Sequence, residues 1–223
     1  MEQKIQKIKE IVKKELSCSA HNMDHIMRVY NLALQLAKNE DVDLEVLQAS
    51  VLLHDIAGVK EDNDPTGKTD HAILGAKMAK PILEKLDFSA EKIKHIQNCI
   101  IAHRYRTGNK PKSREAQILF DADKLDALGA IGVARSFVWV GRNNAKIYRK
   151  IDIAKYAKEN LGGKINGKIQ DKTKHSPQIE FETKLKFLPD KLCTEKGKRI
   201  AEKRLNFYRK FLDRLEQEIA GKI

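Results

Sequence analysis

The spacing of its apolar residues leaves this chain one class of fold. Nearly every apolar segment repeats at steps of three and four, and the strict alternation of a half-buried strand is scarce. Ile5, Ile8, Ile11 and Val12 share a stripe in residues 2–16, and Ile26, Val29, Tyr30, Ala33, Leu36 and Ala37 share another in residues 24–38. Asp43 suits the N-cap of a third helix, with Leu44, Leu47, Val51 and Leu52 as its stripe and Gly58 as its stop. Asp70 caps a helix carrying Ile73, Leu74, Met78, Ile82 and Leu83, which Pro81 is expected to kink or split. Ser89 caps the next, with Ile93, Ile96, Ile100 and Ile101. A long helical pattern then starts near Arg114, passes Asp123 and runs towards Phe137. Its glycines, Gly129 and Gly132, weaken a lone helix and suggest close packing against a neighbour. From Thr194 onward, Ile200, Ala201, Leu205, Tyr208, Phe211, Leu212, Leu215 and Ile219 make the cleanest amphipathic helix, expected to pack back on the rest. The predicted fold is an all-α bundle.

The chain of 223 residues, 41% of them hydrophobic, is long enough for one well-buried core, and a single domain over residues 1–223 is expected. Residues 59–69, with Asp62, Asn63, Asp64, Pro65 and Gly67, read as a loop, and so do residues 105–113. Residues 141–178 are basic, glycine-containing and poor in apolar periodicity, which points to an insertion or lid rather than core. No apolar run approaches the ~18–20 residues of a membrane helix. The charged, amphipathic N-terminus lacks the apolar stretch of a signal peptide. Cys18, Cys99 and Cys193 are far apart and lack metal-type spacing, so they read as reduced thiols, and the expected compartment is the cytoplasm. Many lysines belong to solvated helix faces, yet the net charge of +12 leans towards an anionic ligand.

Against this background one dipeptide stands out. His54-Asp55 closes the apolar run Ser50-Val51-Leu52-Leu53, which puts two metal-ligand side chains where water is scarce. An isolated carboxylate is costly to bury, so Asp55 needs a partner or a cation. His25 on an upstream helix and Asp123 in a downstream apolar segment complete a set of four N/O ligands, suited to a hard or borderline divalent ion. Arg28 shares a helix face with His25, and its guanidinium suits a substrate phosphate. Asp126, three residues after Asp123, has two readings of equal standing: orienting a histidine ligand, or pairing with Lys124, Arg135 or another base. Asp64 reads better as a solvated turn residue than as a group that orients water. His95 reads as packing, His175 as exposed, and His21 as a residue before the motif's helix that can support the ligand set.

The order His…His-Asp…Asp resembles the signature of the HD-domain metal-dependent phosphohydrolases. His21-Asn22-Met23-Asp24-His25-Ile26-Met27-Arg28-Val29 is similar to their first motif, and Leu52-Leu53-His54-Asp55-Ile56 to the central one. Asp121-Ala122-Asp123-Lys124-Leu125-Asp126-Ala127-Leu128-Gly129-Ala130-Ile131-Gly132 resembles the last motif of a bacterial and archaeal branch, some of whose members split nucleoside triphosphates. Residues 181–211 also resemble that branch, while residues 141–178 are the least typical.

The resemblance implies a helical bundle around a central metal held by His25, His54, Asp55 and Asp123. Mn²⁺ or Mg²⁺ is favoured, with Fe²⁺, Co²⁺ or Ni²⁺ compatible, since no thiolate is present to select zinc. The expected reaction is hydrolysis of a phosphorylated small molecule, a nucleotide above all, by metal-activated water. Lys60 and Arg28 are expected as phosphate clamps, and His71 and His103, at helix ends, as phosphate contacts, acid catalysts or ligands of a second ion. With Asp126, the residues Lys60, His71 and His103 form the expected catalytic group. Two other functions compete. A nucleic-acid phosphodiesterase could use residues 141–178 to hold a strand, although Tyr148 and Tyr156 are the main aromatics there. A non-catalytic nucleotide-binding module is disfavoured by the intact ligand set. Phosphate-loop and dinucleotide fingerprints are missing, and no partner membrane is expected.

Overall fold

A computed structural model describes residues 2–16, 23–104 and 108–223, so Cys18, His21 and the start of the 105–113 loop lie outside the described residues. The described residues form eleven α-helices, a few single 3-10 turns and no strand, as the apolar periodicity requires. They gather into two compact units, residues 1–123 and 124–223.

The first unit holds α1 (Glu2–Glu15), α2 (Met23–Ala37), α3 (Leu44–Leu53), α4 (Gly58–Asp62), α5 (His71–Lys85), α6 (Ala90–Ala102) and most of α7 (Arg114–Leu125). Helix α3 is its centre and packs against α1, α2, α5 and α6. That position explains its composition. Val46, Leu47, Ala49, Ser50, Val51, Leu52 and Leu53 are all buried, so α3 is apolar around most of its circumference instead of carrying the single stripe expected, and Leu44 is left exposed. Each Leu or Val so buried contributes roughly 1.5–3 kcal/mol of transfer free energy. Asp43, Asp70 and Ser89 cap α3, α5 and α6 as their sequence positions suggest, each accepting from backbone N–H groups of the first turn.

Three local expectations are corrected. Gly58 opens α4 rather than ending α3, so the segment read as a loop from residue 59 begins with a short helix. Helix α5 runs unbroken through Pro81. Pro81 and Lys77, whose carbonyl loses its helical donor, both lie on the exposed face, where solvent takes the donor's place. The long helix expected from Arg114 towards Phe137 is instead two, with a break at residues 126–128.

The second unit holds α8 (Gly129–Arg142), α9 (Ile153–Asn160), α10 (Pro177–Thr183) and α11 (Glu195–Ile219), and α8 packs on α10 and α11. Gly129 starts α8 with φ of +72°, a conformation open to glycine and strained for other residues. A Cβ on Gly132 would stand 2.2 Å from the Ala127 carbonyl oxygen, so the turn into α8 closes only over a glycine. The basic segment 141–178 has a core of its own. Tyr156, Ala157, Leu161 and Ile179 are buried together, with Ile151, Ile153 and Ile169 packed on them. These residues come from several short pieces, which is why no periodicity announces them.

Candidate metal centre

The polar centre of the first unit is assembled at helix ends. His54 is the C-cap of α3 and Asp55 follows it in a tight turn, where Ile56 N–H donates to Leu53 O and Gly58 N–H to Asp55 O. His25 is the third residue of α2, Asp123 lies near the end of α7, His71 opens α5, and His103 is the C-cap of α6. The last helical carbonyls lack intrahelical donors, and two of the histidines supply them. The His54 Nδ1–H donates to Val51 O at 2.7 Å and the His103 Nδ1–H to Ile100 O at 2.5 Å. A carbonyl only accepts, so both rings carry their proton on Nδ1 and turn a lone pair on Nε2 into the site.

Asp55 sits between two pairs of imidazoles. Its Oδ2 lies 3.5 Å from His25 Nε2 and 3.7 Å from His54 Nε2, while its Oδ1 lies 3.4 Å from His71 Nε2 and 3.5 Å from His103 Nε2. Asp123 Oδ1 stands 3.5 Å from His25 Nε2. Ligand atoms of His25, His54 and Asp55, of His54, His103 and Asp123, and of Asp55, His71 and His103 each fall within 4.8 Å of one another. Burial is the first influence on these groups. It pushes the His54 ring down to about 4, against the pull of the Asp55 and Asp123 carboxylates, so the ring is neutral at neutral pH and available as a ligand. Burial also opposes ionisation of Asp55, yet His54, His103 and His25 outweigh it and hold the carboxyl well below its usual range.

The donors fit a divalent cation. His54 Nε2 is completely buried and has no hydrogen-bond partner, a state that costs stability unless something positive meets it. His71 Nε2 and His103 Nε2 face each other at 3.1 Å. With His103 Nδ1–H committed to a carbonyl and His71 Nδ1 to the Glu61 carboxylate, that approach needs a proton or a cation between the rings. Two imidazoles with two carboxylates, and no thiolate, is a donor set for Mn²⁺, Fe²⁺, Co²⁺, Ni²⁺ or Mg²⁺.

The other expected residues are distributed less centrally. Arg28 is half-buried one turn after His25 on α2. Lys60 is exposed, on α4 rather than in a loop. Asp126, in the second unit, is buried and takes a hydrogen bond from Arg135 Nη1 at 2.6 Å, the ion pair of its two readings. Asp64 accepts from Thr66 N–H, Thr66 Oγ1, Lys68 N–H and Thr69 N–H, so both of its oxygens serve its own turn. His95 meets Ser113 Oγ at 2.9 Å and Glu115 at 3.1 Å, a polar setting rather than packing alone. His175 is not exposed. Only 3% of it reaches solvent, and it joins Tyr156 and Glu180 in a buried network of the second unit.

Sequence reasoning missed two residues. Glu61 on α4 binds His71 Nδ1 through Oε2 and takes Arg104 Nη2 at 2.8 Å through Oε1. Arg104 also holds Asp70, the α5 cap, at 3.0 Å. Glu61 thereby fixes the ring that faces Asp55. Its only sequence signal is a position between Lys60 and a loop.

Known proteins are similar to this chain in sequence and fold. The HD domain family model matches residues 22–128. A crystallised HD-superfamily hydrolase from Bacillus thuringiensis superposes with a TM-score of 0.71 at 28% identity, covering 98% of each chain. YpgQ of Bacillus subtilis is 28% identical over 210 residues, 91% of this chain and 86% of that protein. Its crystal structure in complex with ADP superposes with a TM-score of 0.71, covering 97% of this chain and 95% of that one. The 3'-5' exoribonuclease YhaM of Bacillus licheniformis is 31% identical over 117 residues, 46% of this chain and 37% of that enzyme. Residues 22–128 of the chain carry an HD domain, and the chain is similar to HD-superfamily hydrolases over nearly its whole length.

Proposed function

We propose that this protein is a divalent-metal-dependent phosphohydrolase of nucleotides, which cleaves between phosphates of a nucleoside triphosphate or acts as a nucleotidase. The observation that carries the reading is the set of lone pairs and carboxylate oxygens converging on Asp55, with the buried His54 Nε2 left without a partner. His25, His54, Asp55 and Asp123 would hold the ion, and His71 and His103, on the far side of Asp55, offer room for a second. Mn²⁺ or Mg²⁺ is the favoured choice. When bound, such an ion supplies Lewis-acid polarisation of a phosphoryl oxygen and lowers the pKa of water at the site.

The remaining work falls to the chain. Asp55, held ionised, and Asp123 would balance the cation's charge. The backbone carbonyls at Val51 and Ile100 hold His54 and His103 in one tautomer, so no ring has to reorient during turnover. Glu61 holds His71 with Nε2 facing inward, where it can hold a proton for the leaving phosphate or contact a phosphate oxygen. Arg28 and Lys60, in the same unit, would bind phosphate charge. The ADP bound to YpgQ supports a nucleotide substrate. No helix among the described residues is long and apolar enough to cross a membrane.

The likeness to YhaM favours a second reading, a nucleic-acid phosphodiesterase. Tyr156, one of the two aromatics expected to stack bases, is 1% exposed and unavailable for it. The deciding experiment is product analysis with Mn²⁺ and a panel of nucleoside mono-, di- and triphosphates beside an oligoribonucleotide, with Asp123→Ala as control. Pyrophosphate plus monophosphate, absent in the control, identifies a pyrophosphohydrolase, and phosphate from monophosphates a nucleotidase. Turnover of the oligonucleotide alone would overturn the small-nucleotide reading.

A further inference from the structure

The basic lobe of the second unit, residues 141–178, takes no part in the proposed reaction. It carries ten Lys and Arg against three Asp and Glu, seven of the chain's net +12, so the rest of the chain holds only +5. Little of that charge is neutralised. Lys150 pairs with Glu216 at 2.8 Å and Lys174 with Asp171 at 3.3 Å. Lys146, Lys155, Lys158, Lys164, Lys168 and Lys172 are exposed, and none has a carboxylate partner among the described residues. Of the three acids, Asp152 caps α9, Asp171 serves Lys174 and the turn at Thr173, and Glu159 alone stays open beside Lys155 and Lys158.

The backbone holds these lysines close together. Lys146 N–H donates to His175 O and Arg149 Nη1 to Lys174 O, each at 3.1 Å, so residues 146–149 lie along 174–175. Beside them Asn160 closes the loop that follows α9. Gln170 N–H donates to Asn160 O at 3.0 Å, Asp171 N–H to Asn160 Oδ1 at 2.7 Å, and Asn160 Nδ2 to Asp171 O at 3.0 Å. Lys164, Ile165 and Lys168 stand exposed on that closed loop. A compact piece of this length has a radius of gyration of about 9 Å, close to the ~8 Å Debye length of physiological salt. The six ammonium groups therefore act on a partner together.

We propose that this lobe docks on the surface of an anionic lipid bilayer. Its six unpaired cations are all lysines, compact charges suited to a diffuse field of anionic headgroups. Two isoleucines stand among them: Ile147 beside Lys146 is 58% exposed, and Ile165 between Lys164 and Lys168 is 48% exposed. Water offers such side chains nothing, whereas the headgroup–acyl boundary takes them up. A nucleic acid would call for aromatics to stack its bases, but Tyr156 is buried and Tyr148 is half-buried with its hydroxyl on Glu216. The lack of an apolar span, on which the expectation of no membrane partner rests, does not bear on peripheral contact.

Docking needs neither metal nor turnover, so its test is independent of the hydrolytic reading. The full chain, in chelator, is sedimented with vesicles of phosphatidylcholine and phosphatidylglycerol in equal parts, and with vesicles of phosphatidylcholine alone. Binding is expected to the first only, weakening steeply as salt is raised. Each lysine near an anionic surface is worth about fivefold in affinity, so Lys158→Gln, Lys164→Gln and Lys168→Gln together should weaken binding about a hundredfold. Lys7→Gln, Lys13→Gln and Lys14→Gln make the same change of net charge at exposed positions of α1 and should leave it nearly unchanged. Ile165→Ser should cost about fivefold, the uptake of a half-exposed isoleucine. No binding to the phosphatidylglycerol vesicles at low salt would overturn the proposal. Equal losses in the two triple variants would do so as well, by reducing the effect to net charge, and unchanged affinity in Ile165→Ser would replace the bilayer by a purely ionic partner. An oligouridylate that binds the wild-type chain when the vesicles do not, and that the lobe variant releases, would make the lobe a nucleic-acid surface instead.

Discussion

Replacing Tyr156 by Phe removes one hydroxyl from a buried chain of hydrogen bonds, and the structure sets what that should cost. Asn160 Nδ2 donates to Tyr156 Oη at 2.6 Å, the Tyr156 O–H donates to His175 Nδ1 at 2.8 Å, and His175 Nε2–H donates to Glu180 Oε2 at 3.0 Å. This order of protons satisfies all three bonds. Tyr156→Phe breaks two of these bonds. Asn160 Nδ2 keeps a second partner, Asp171 O at 3.0 Å, but His175 Nδ1 is left buried and unpaired. A lost bond is worth about 0.5–1.5 kcal/mol and a stranded buried acceptor about 1–3 kcal/mol, so the loss should be about 2–3 kcal/mol. For a chain of this size that lowers Tm by roughly 4–12 °C. The assay is built in. Trp139, the one tryptophan of the chain, meets His175 edge-on at 5.3 Å between ring centres, so its fluorescence follows unfolding around the network. A loss below about 0.5 kcal/mol, the scatter of unremarkable surface substitutions, with the Trp139 transition unmoved, would refute the assigned proton order and the role of the network.

Four further outcomes are expected. The Glu180 carboxyl is opposed by burial but held far below its usual range by Lys184 and His175. A depressed folded pKa stabilises above the unfolded value and is lost as pH falls, so the Trp139 transition should drop between about pH 5 and pH 3, less steeply in Glu180→Gln. Chelation of divalent ions should lower Tm and Mn²⁺ restore it, by about 2.7 kcal/mol at a hundredfold excess over Kd; His54→Ala should abolish that increment in a thermal-shift titration. Gly132→Ala forces a Cβ to 2.2 Å from the Ala127 carbonyl oxygen and should cost about 1–3 kcal/mol or more by denaturant melting. Gln178→Leu, which removes a buried unpaired amide, should raise the melting point, corresponding to about 1 kcal/mol or more.

How far the fold could be read from the sequence depended on the range of the deciding contacts. Caps at Asp43, Asp70 and Ser89 are local, and each appears where its side chain predicts. Pro81 could not be read correctly without knowing that its face of α5 is exposed, and the break before α8 follows from the backbone at Gly129 and Gly132 rather than from any loss of apolar spacing. At the candidate site, His25, His54, Asp55 and Asp123 were visible because each interrupts an apolar helix, and the structure brings them together with His71 and His103. Glu61 was not visible, since its partner Arg104 is 43 residues away and neither sits in a pattern. His175 looked exposed because its partners Tyr156, Asn160 and Glu180 belong to separate short elements, so nothing in its own neighbourhood signals burial.

The two C-cap histidines show why this centre belongs to the helices themselves. His54 and His103 close α3 and α6 by the same contact, a ring Nδ1–H on the carbonyl three residues earlier. That bond satisfies a helix-end acceptor, adds a donor where the helix dipole is negative, and fixes which nitrogen faces Asp55. One interaction thus sets helix termination, tautomer and ligand direction together. The coupling runs both ways. Fraying of either helix end releases its ring from the site, and a cation that holds the ring restrains the helix end. Protection of the His54 and His103 amides against hydrogen exchange should therefore rise when Mn²⁺ is added, more than protection at the middle of α3, whose exchange is limited by opening of the whole core. Equal protection at both places would mean that the ends are already locked without the ion, and that the centre is preformed rather than completed on binding.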